Sequence, residues 1–212
     1  MKVTPSLPLD LLEAEQDFSK IIIHDLDHMD SNRLAINLKF EGIRLMPIIL
    51  RLGELLLGNE YSFLLLWSDA GSVALARRDN PKLKEYICSF GDLITGKCNS
   101  DKKQLLIAVS PQPYDYDDFL KVCESHSGKI MMFNGRLEDT AVGIGSIGRE
   151  RRKELISSWY FVYSLEPISQ GALMVKYPHE WNLFRLDQDG YRFVNSFPSK
   201  PDLDTVAEYL IA

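Results

Sequence analysis

Hydrophobic positions along the first two thirds of the chain fall into two rhythms that take turns. Where they recur every three or four residues, one face of a helix is apolar; where they alternate or run together, the backbone is extended. Leu9–Ile23 has the helical rhythm, with Leu11, Leu12 and Phe18 on a ragged apolar face. Arg33–Phe40 alternates, with Leu34, Ile36 and Leu38 on one side, and predicts a strand that Glu41-Gly42 breaks. Leu45–Leu57 is an amphipathic helix stopped by Gly58-Asn59, and Pro47 is compatible with it only in the first turn. Tyr61–Trp67 and Leu105–Val109 are near-continuous apolar runs, the mark of strands buried on both faces. Val73–Arg78 follows the first of them at helical spacing, and Asp69 stands where an N-cap belongs. Lys82–Leu93 holds another apolar segment around Tyr86 and Ile87, and Thr95–Lys103 is a polar loop. Tyr114–Ser125 predicts a helix whose first turn is acidic, favourable against the helix dipole, with Gly128 close behind it. Ile130–Phe133 is one more strand, ended by Asn134-Gly135.

After about Ser157, where a helix that starts behind Gly148 is expected to end, the rhythm changes. Trp159–Leu165, Leu173–Tyr177, Trp181–Leu186 and Tyr191–Asn195 are short alternating runs. Gly171, Pro178-His179 and Asp189-Gly190 punctuate them, and Asp-Gly between alternating runs signals a hairpin. Asp202–Leu210 predicts a closing helix behind Pro198 and Pro201. The expected fold is a single α/β domain over residues 1–212. Residues 1–157 supply a mostly parallel, three-layer, Rossmann-like sheet, and residues 158–212 an antiparallel meander with the last helix.

In open α/β sheets ligands bind beyond the carboxyl ends of the strands. Three strands end in polar or turn residues there: Ser68-Asp69, Ser110-Pro111-Gln112 and Asn134-Gly135-Arg136. Behind Arg136 come Glu138, Asp139 and a glycine loop, Gly143-x-Gly145-x-x-Gly148, then Arg149, Arg151, Arg152 and Lys153. The candidate ligand- or partner-binding set is therefore Asp69, Gly71, Asn134, Arg136, Glu138, Asp139, Gly143, Gly145, Arg149 and Arg152. The glycine spacing matches a dinucleotide fingerprint that directs amides and a helix dipole at a phosphate, but such a loop leaves a strand directly, and here RLEDTAV intervenes. A structural or partner-facing turn, or a site for another anion, explains it as well. Arg149 and Arg152 share a helix face, either as a bidentate anion reader or as a solvated face paired with Glu150 and Glu154. Glu138-Asp139 is a paired carboxylate or an acidic loop bridged to those arginines. Asp69 is a cap, a base or a ligand. Glu166 sits at the distance where a ribose-binding acid would stand.

Composition narrows the classes. The chain has 212 residues, 45% hydrophobic and 25% charged, with a net charge of −6, which argues against a general nucleic-acid binder. Cys88, Cys98 and Cys123 form no CxxC pair and read as reduced intracellular thiols. His24 and His28 stand one helical turn apart without an evident third ligand. No apolar run reaches the roughly 20 residues of a membrane span. The N-terminus has neither a cationic region leading into an apolar stretch nor the basic character of a transit peptide, so the chain is expected to act where it is made. No catalytic set, metal set or cofactor is assigned, and a binding module is preferred over an enzyme.

Four ordered stretches carry a resemblance: DAGSVALARRD at Asp69–Asp79, LLIAVSPQPYDYDDFLKVCE at Leu105–Glu124, FNGRLEDTAVGIGSIGRERRKEL at Phe133–Leu155, and VYSLEPISQGALMVKYPHEWNLFRLDQDGYRFV at Val162–Val194. Together they resemble a domain-of-unknown-function family of cyanobacteria and chloroplasts, numbered nineteen-ninety-five, which includes the low-photosystem-II-accumulation-three protein. The resemblance implies a photosynthetic context, a role assisting photosystem II assembly through photosystem subunits or assembly factors, and a location in the cytoplasm or peripheral to the thylakoid of a cyanobacterium. It supplies no catalytic residues.

Overall fold

A computed structural model describes residues 5–98, 100–137, 155 and 157–211. The fold is a mixed α/β one, mostly parallel with an antiparallel C-terminal part, as the hydrophobic rhythm predicts. Contacts divide it into two compact units. One comprises the described residues of Asp25–Ala35 and Arg44–Tyr160; the other comprises those of Met1–His24, Ile36–Ile43 and Phe161–Ala212. The N-terminal helix thus groups with the C-terminal strands and not with the parallel ones that follow it in the chain.

The first unit contains α2 (Leu45–Gly58), β2 (Phe63–Trp67), α3 (Ala70–Asp79), β3 (Ile87–Ser89), α4 (Phe90–Ile94), β4 (Leu105–Val109), α5 (Tyr116–Ser125) and β5 (Ile130–Phe133). Its strands run parallel in the order β3-β2-β4-β5. Every residue of these four strands is buried, which is why their sequences read as unbroken apolar runs. β3 is only three residues long and follows a 3₁₀ turn over Pro81–Tyr86, so no periodicity announced it as a strand.

The second unit begins with α1 (Leu11–Asp25), whose last residue, Asp25, counts with the first unit. β1 (Arg33–Leu38) also crosses the division, with Ile36–Leu38 on this side. β6 (Tyr160–Ile168), β7 (Gly171–Lys176), β8 (Trp181–Asp187) and β9 (Gly190–Phe197) form an antiparallel meander, and α6 (Leu203–Ile211) closes the chain. The Asp189-Gly190 hairpin forms where expected, with Gly190 at a φ of +127° that suits glycine. Gly171 is required for a different reason: a Cβ there would lie 1.9 Å from the Phe184 carbonyl oxygen.

The two faces of the meander have different covers. Leu173, Val175, Trp181 and Leu183 pack under Val206 of α6, with Phe161, Val194, Phe197 and Leu210 around them. On the opposite face Phe18 of α1 meets Tyr163 edge-on, with ring centroids 5.9 Å apart, and Asp17 pairs with Lys176 at 2.6 Å.

Candidate functional site

The parallel register sets the carboxyl edge of the first unit. Leu66 is level with Ala108, and Val109 with Phe133, so β2, β4 and β5 end together and their exit turns share one edge. Backbone bonds knit the last two turns: Ser110 donates to the Phe133 carbonyl at 2.7 Å, and Arg136 to that of Pro111 at 2.9 Å. Ser110 and Asn134, the first residues beyond adjacent strands, are both left-handed, at φ of 48° and 52°. Side chains with a Cβ avoid this region, and backbone strain of this kind gathers at functional sites.

The acids of this edge are tied into their helices. Asp69 caps α3, accepting from the Ser72 amide at 2.8 Å and its hydroxyl at 2.7 Å. Those bonds hold its carboxyl below the ordinary range. Asp115 is buried and accepts from the Gln112 amide at 2.8 Å. Burial raises its carboxyl, and the charge of Asp69 adds to the rise. Gln112 turns its side-chain amide back onto the carbonyl and hydroxyl of Ser110, at 2.7 and 2.9 Å.

Of the residues singled out from the sequence, Asp69, Gly71, Asn134 and Arg136 stand at this edge. Glu138, Asp139, Gly143, Gly145, Arg149 and Arg152 lie outside the described residues. Ser110, Gln112 and Asp115 complete the edge; Ser-Pro-Gln-Pro behind a buried strand was the visible signal, but the strain at Ser110 was not.

The opposite edge of the same strands is stitched by cations. The Arg33 guanidinium donates to the carbonyls of Cys123, Asn32, His126 and Gly128, which secures the end of α5. Lys129 reaches the carbonyls of Met29 and Ser31, and His126 bonds the Gln104 carbonyl at 2.9 Å. Burial lowers the His126 ring below its ordinary value, in keeping with a structural imidazole. Burial also raises the thiols of Cys88 and Cys123, the latter to about 12, so neither supplies a thiolate near neutral pH.

In the second unit Glu166 is buried beside Ser164 on β6. Lys200 donates to both of its oxygens, at 2.8 and 2.7 Å, Lys39 to one at 3.1 Å, and the Ser164 hydroxyl to the other at 2.8 Å. Burial works to raise this carboxyl, but Lys200 and then Lys39 outweigh it and leave it below the ordinary range. Lys200 also lies over the Trp181 ring, 5.4 Å from its centroid. The position suggested for ribose binding is thus filled by the chain's own lysines.

The other face of the meander opens into a groove of about 1050 Å³, lined by the N-terminal segment Pro5–Leu11, the turn Phe40–Ile43 and side chains of β6 to β9. Leu165, Ala172, Phe184 and Phe193 form its floor, and Tyr191 stands at its margin. Exposed apolar side chains gather here: Leu9 is 94% exposed and Tyr191 49%. Four carboxylates line it, on Asp10, Glu41, Asp187 and Asp189, against one guanidinium, that of Arg192. Asp187 pairs with Arg185 at 3.1 Å and with Arg192 at 2.8 Å. Four distant stretches of chain build this groove, so no local pattern could disclose it.

A family model described as Domain of unknown function (DUF1995) matches residues 8–208. No curated protein matches the chain.

Proposed function

The chain belongs to the DUF1995 family, and from that premise we propose that it is a non-enzymatic auxiliary protein that works by binding another protein. The photosynthetic context implied by the ordered motifs suggests photosystem II subunits or assembly factors as partners, met in the cytoplasm or at the thylakoid surface. Among the described residues no helix is long and apolar enough to cross a membrane. The observation that carries the reading is the groove of the second unit, where apolar side chains that would ordinarily be covered line an open volume of about 1050 Å³. The test is affinity purification from a photosynthetic host, comparing the natural chain with a Leu9→Asp, Tyr191→Asp variant. Both side chains are exposed, so the variant retains its melting temperature. Photosystem subunits or assembly factors captured by the natural chain and lost by the variant support the reading; unchanged capture removes the groove from it.

A second reading has its own observation. The left-handed Ser110 and Asn134, side by side at the carboxyl edge with Asp69, Gly71 and Arg136, favour a small phosphate-bearing or other anionic ligand there. Such a ligand raises the melting temperature by mass action. A panel of nucleotides and phosphometabolites that produces no shift disposes of it.

A further inference from the structure

The groove coincides with an open stretch of strand edge. β9 ends the order β6-β7-β8-β9, so among the described residues no strand pairs with its outer row of amides and carbonyls. Proteins usually blunt such an edge with proline, lysine, a bulge or a short length, because it is a template for another strand. β9 is eight residues long, GYRFVNSF, with no proline and no lysine; Leu183 pairs with Asn195 and Phe184 with Phe193, so Val194 bulges and the regular open stretch is Gly190–Phe193. Gly190–Phe193 belongs to both features: it is part of the open edge and part of the groove lining.

We infer that the partner enters as an extended segment that adds a strand to β9, sends alternate apolar side chains into the groove, and carries lysine or arginine toward its acidic rim. The inference rests on the protein-binding reading and specifies how the groove is filled. Side chains of an added strand alternate between faces, so those on the side of Phe184 and Phe193 continue the floor of the groove. The volume stands at the top of the range of small-ligand pockets and accommodates several side chains. With Asp187 held by Arg185 and Arg192, the lining carboxylates of Asp10, Glu41 and Asp189 select a cationic segment. The same charge disfavours a second copy of the chain, because two β9 edges paired about a twofold would set acid against acid.

Three peptides test this on the full chain: an acetylated nonapeptide alternating valine and lysine, the same peptide with glutamate for lysine, and the lysine peptide with alternate backbone amides methylated. Binding is read by fluorescence anisotropy and located by hydrogen exchange. The lysine peptide is expected to bind and to slow exchange in Gly190–Phe193, while methylation weakens binding by about tenfold or more because it removes ladder bonds. The glutamate peptide binds worse than the lysine one, and a Glu41→Lys, Asp189→Lys variant reverses that order. Equal binding of the methylated peptide, protection elsewhere, or an unchanged preference in the variant overturns the proposal. So does a concentration-dependent dimer whose β9 amides are already protected without peptide. If Leu9→Asp, Tyr191→Asp still releases host partners while the peptides fail, protein binding stands and strand addition falls; if capture is also unchanged, both fall.

Discussion

The two faces of one antiparallel meander are built by the same alternating strands and finished in opposite ways. One face, with Leu173, Val175, Trp181 and Leu183, is closed by α6. The other is covered by α1 at Tyr163 and Lys176, and opens on a groove at Leu165, Ala172, Phe184 and Phe193. The closed face also fixes its one buried carboxylate with two lysines and a hydroxyl, whereas the open face keeps its carboxylates on a solvated rim. Apolar strand composition alone does not separate the two. What separates them is how far other elements of the chain reach over the side chains, and that depends on contacts between residues far apart in sequence.

The comparison breaks most easily at the centre of the closed face. Leu183 is fully buried there. Leu183→Ala removes apolar burial and leaves a cavity under α6, so a loss of about 3 kcal/mol is expected. For a chain of this length that lowers the melting temperature by roughly 6–12 °C. Tyr191→Ala, on the margin of the groove and half exposed, is expected to change stability by no more than about 0.5 kcal/mol. Thermal melts of the two variants side by side check it. Equal losses would mean that the groove is as tightly packed as the face beneath α6.

This contrast also marks how far the sequence could be read. Buried parallel strands such as Phe63–Trp67 and Leu105–Val109 announce themselves because burial on both faces excludes polar residues. The Asp-Gly hairpin and the Asp69 cap are local and were equally plain. β3 was not, being too short for a period. At the carboxyl edge, Asp69, Asn134 and Arg136 could be placed by topology, but the left-handed backbone of Ser110 and Asn134 could not, since neither residue type demands it. Glu166 looked like a ligand-binding acid by spacing; its bonds to Lys39 and Lys200 span 127 and 34 residues and leave no local trace.

The next break is at Glu166. Glu166→Gln keeps the shape but removes the charge that two lysines share, and a loss of about 1–2 kcal/mol is expected at neutral pH, less than for a fully buried pair because both lysines are partly exposed. The pH dependence has a definite sign. The folded carboxyl sits below its ordinary value of 4.5, so the natural chain has the contribution above that pH and loses it as the pH falls through the lower, folded value. Urea midpoints of the two proteins therefore converge on acidification below about pH 4.5 and differ most at neutral pH. A difference that grows toward acid would show that the glutamate is strained in place by its burial.

The smallest effect separates the two lysines. Lys200 contacts both carboxylate oxygens and the Trp181 ring, and its side chain is 37% exposed; Lys39 touches one oxygen and is 49% exposed. Screening by water and the entropy of a long side chain weaken both, and the more exposed pair weakens more. Lys200→Met is expected to destabilise by about 1 kcal/mol, since it also surrenders the contact over Trp181, and Lys39→Met by about 0.3 kcal/mol. Raising the salt concentration should erase most of the Lys39 effect and leave a larger share of the Lys200 effect, because the ring contact shields that ammonium. Urea denaturation of both variants at low and high salt decides the matter. If the two substitutions cost the same and fade together, the carboxylate is held by general positive charge at its mouth, and the closed face owes its closure to α6 alone.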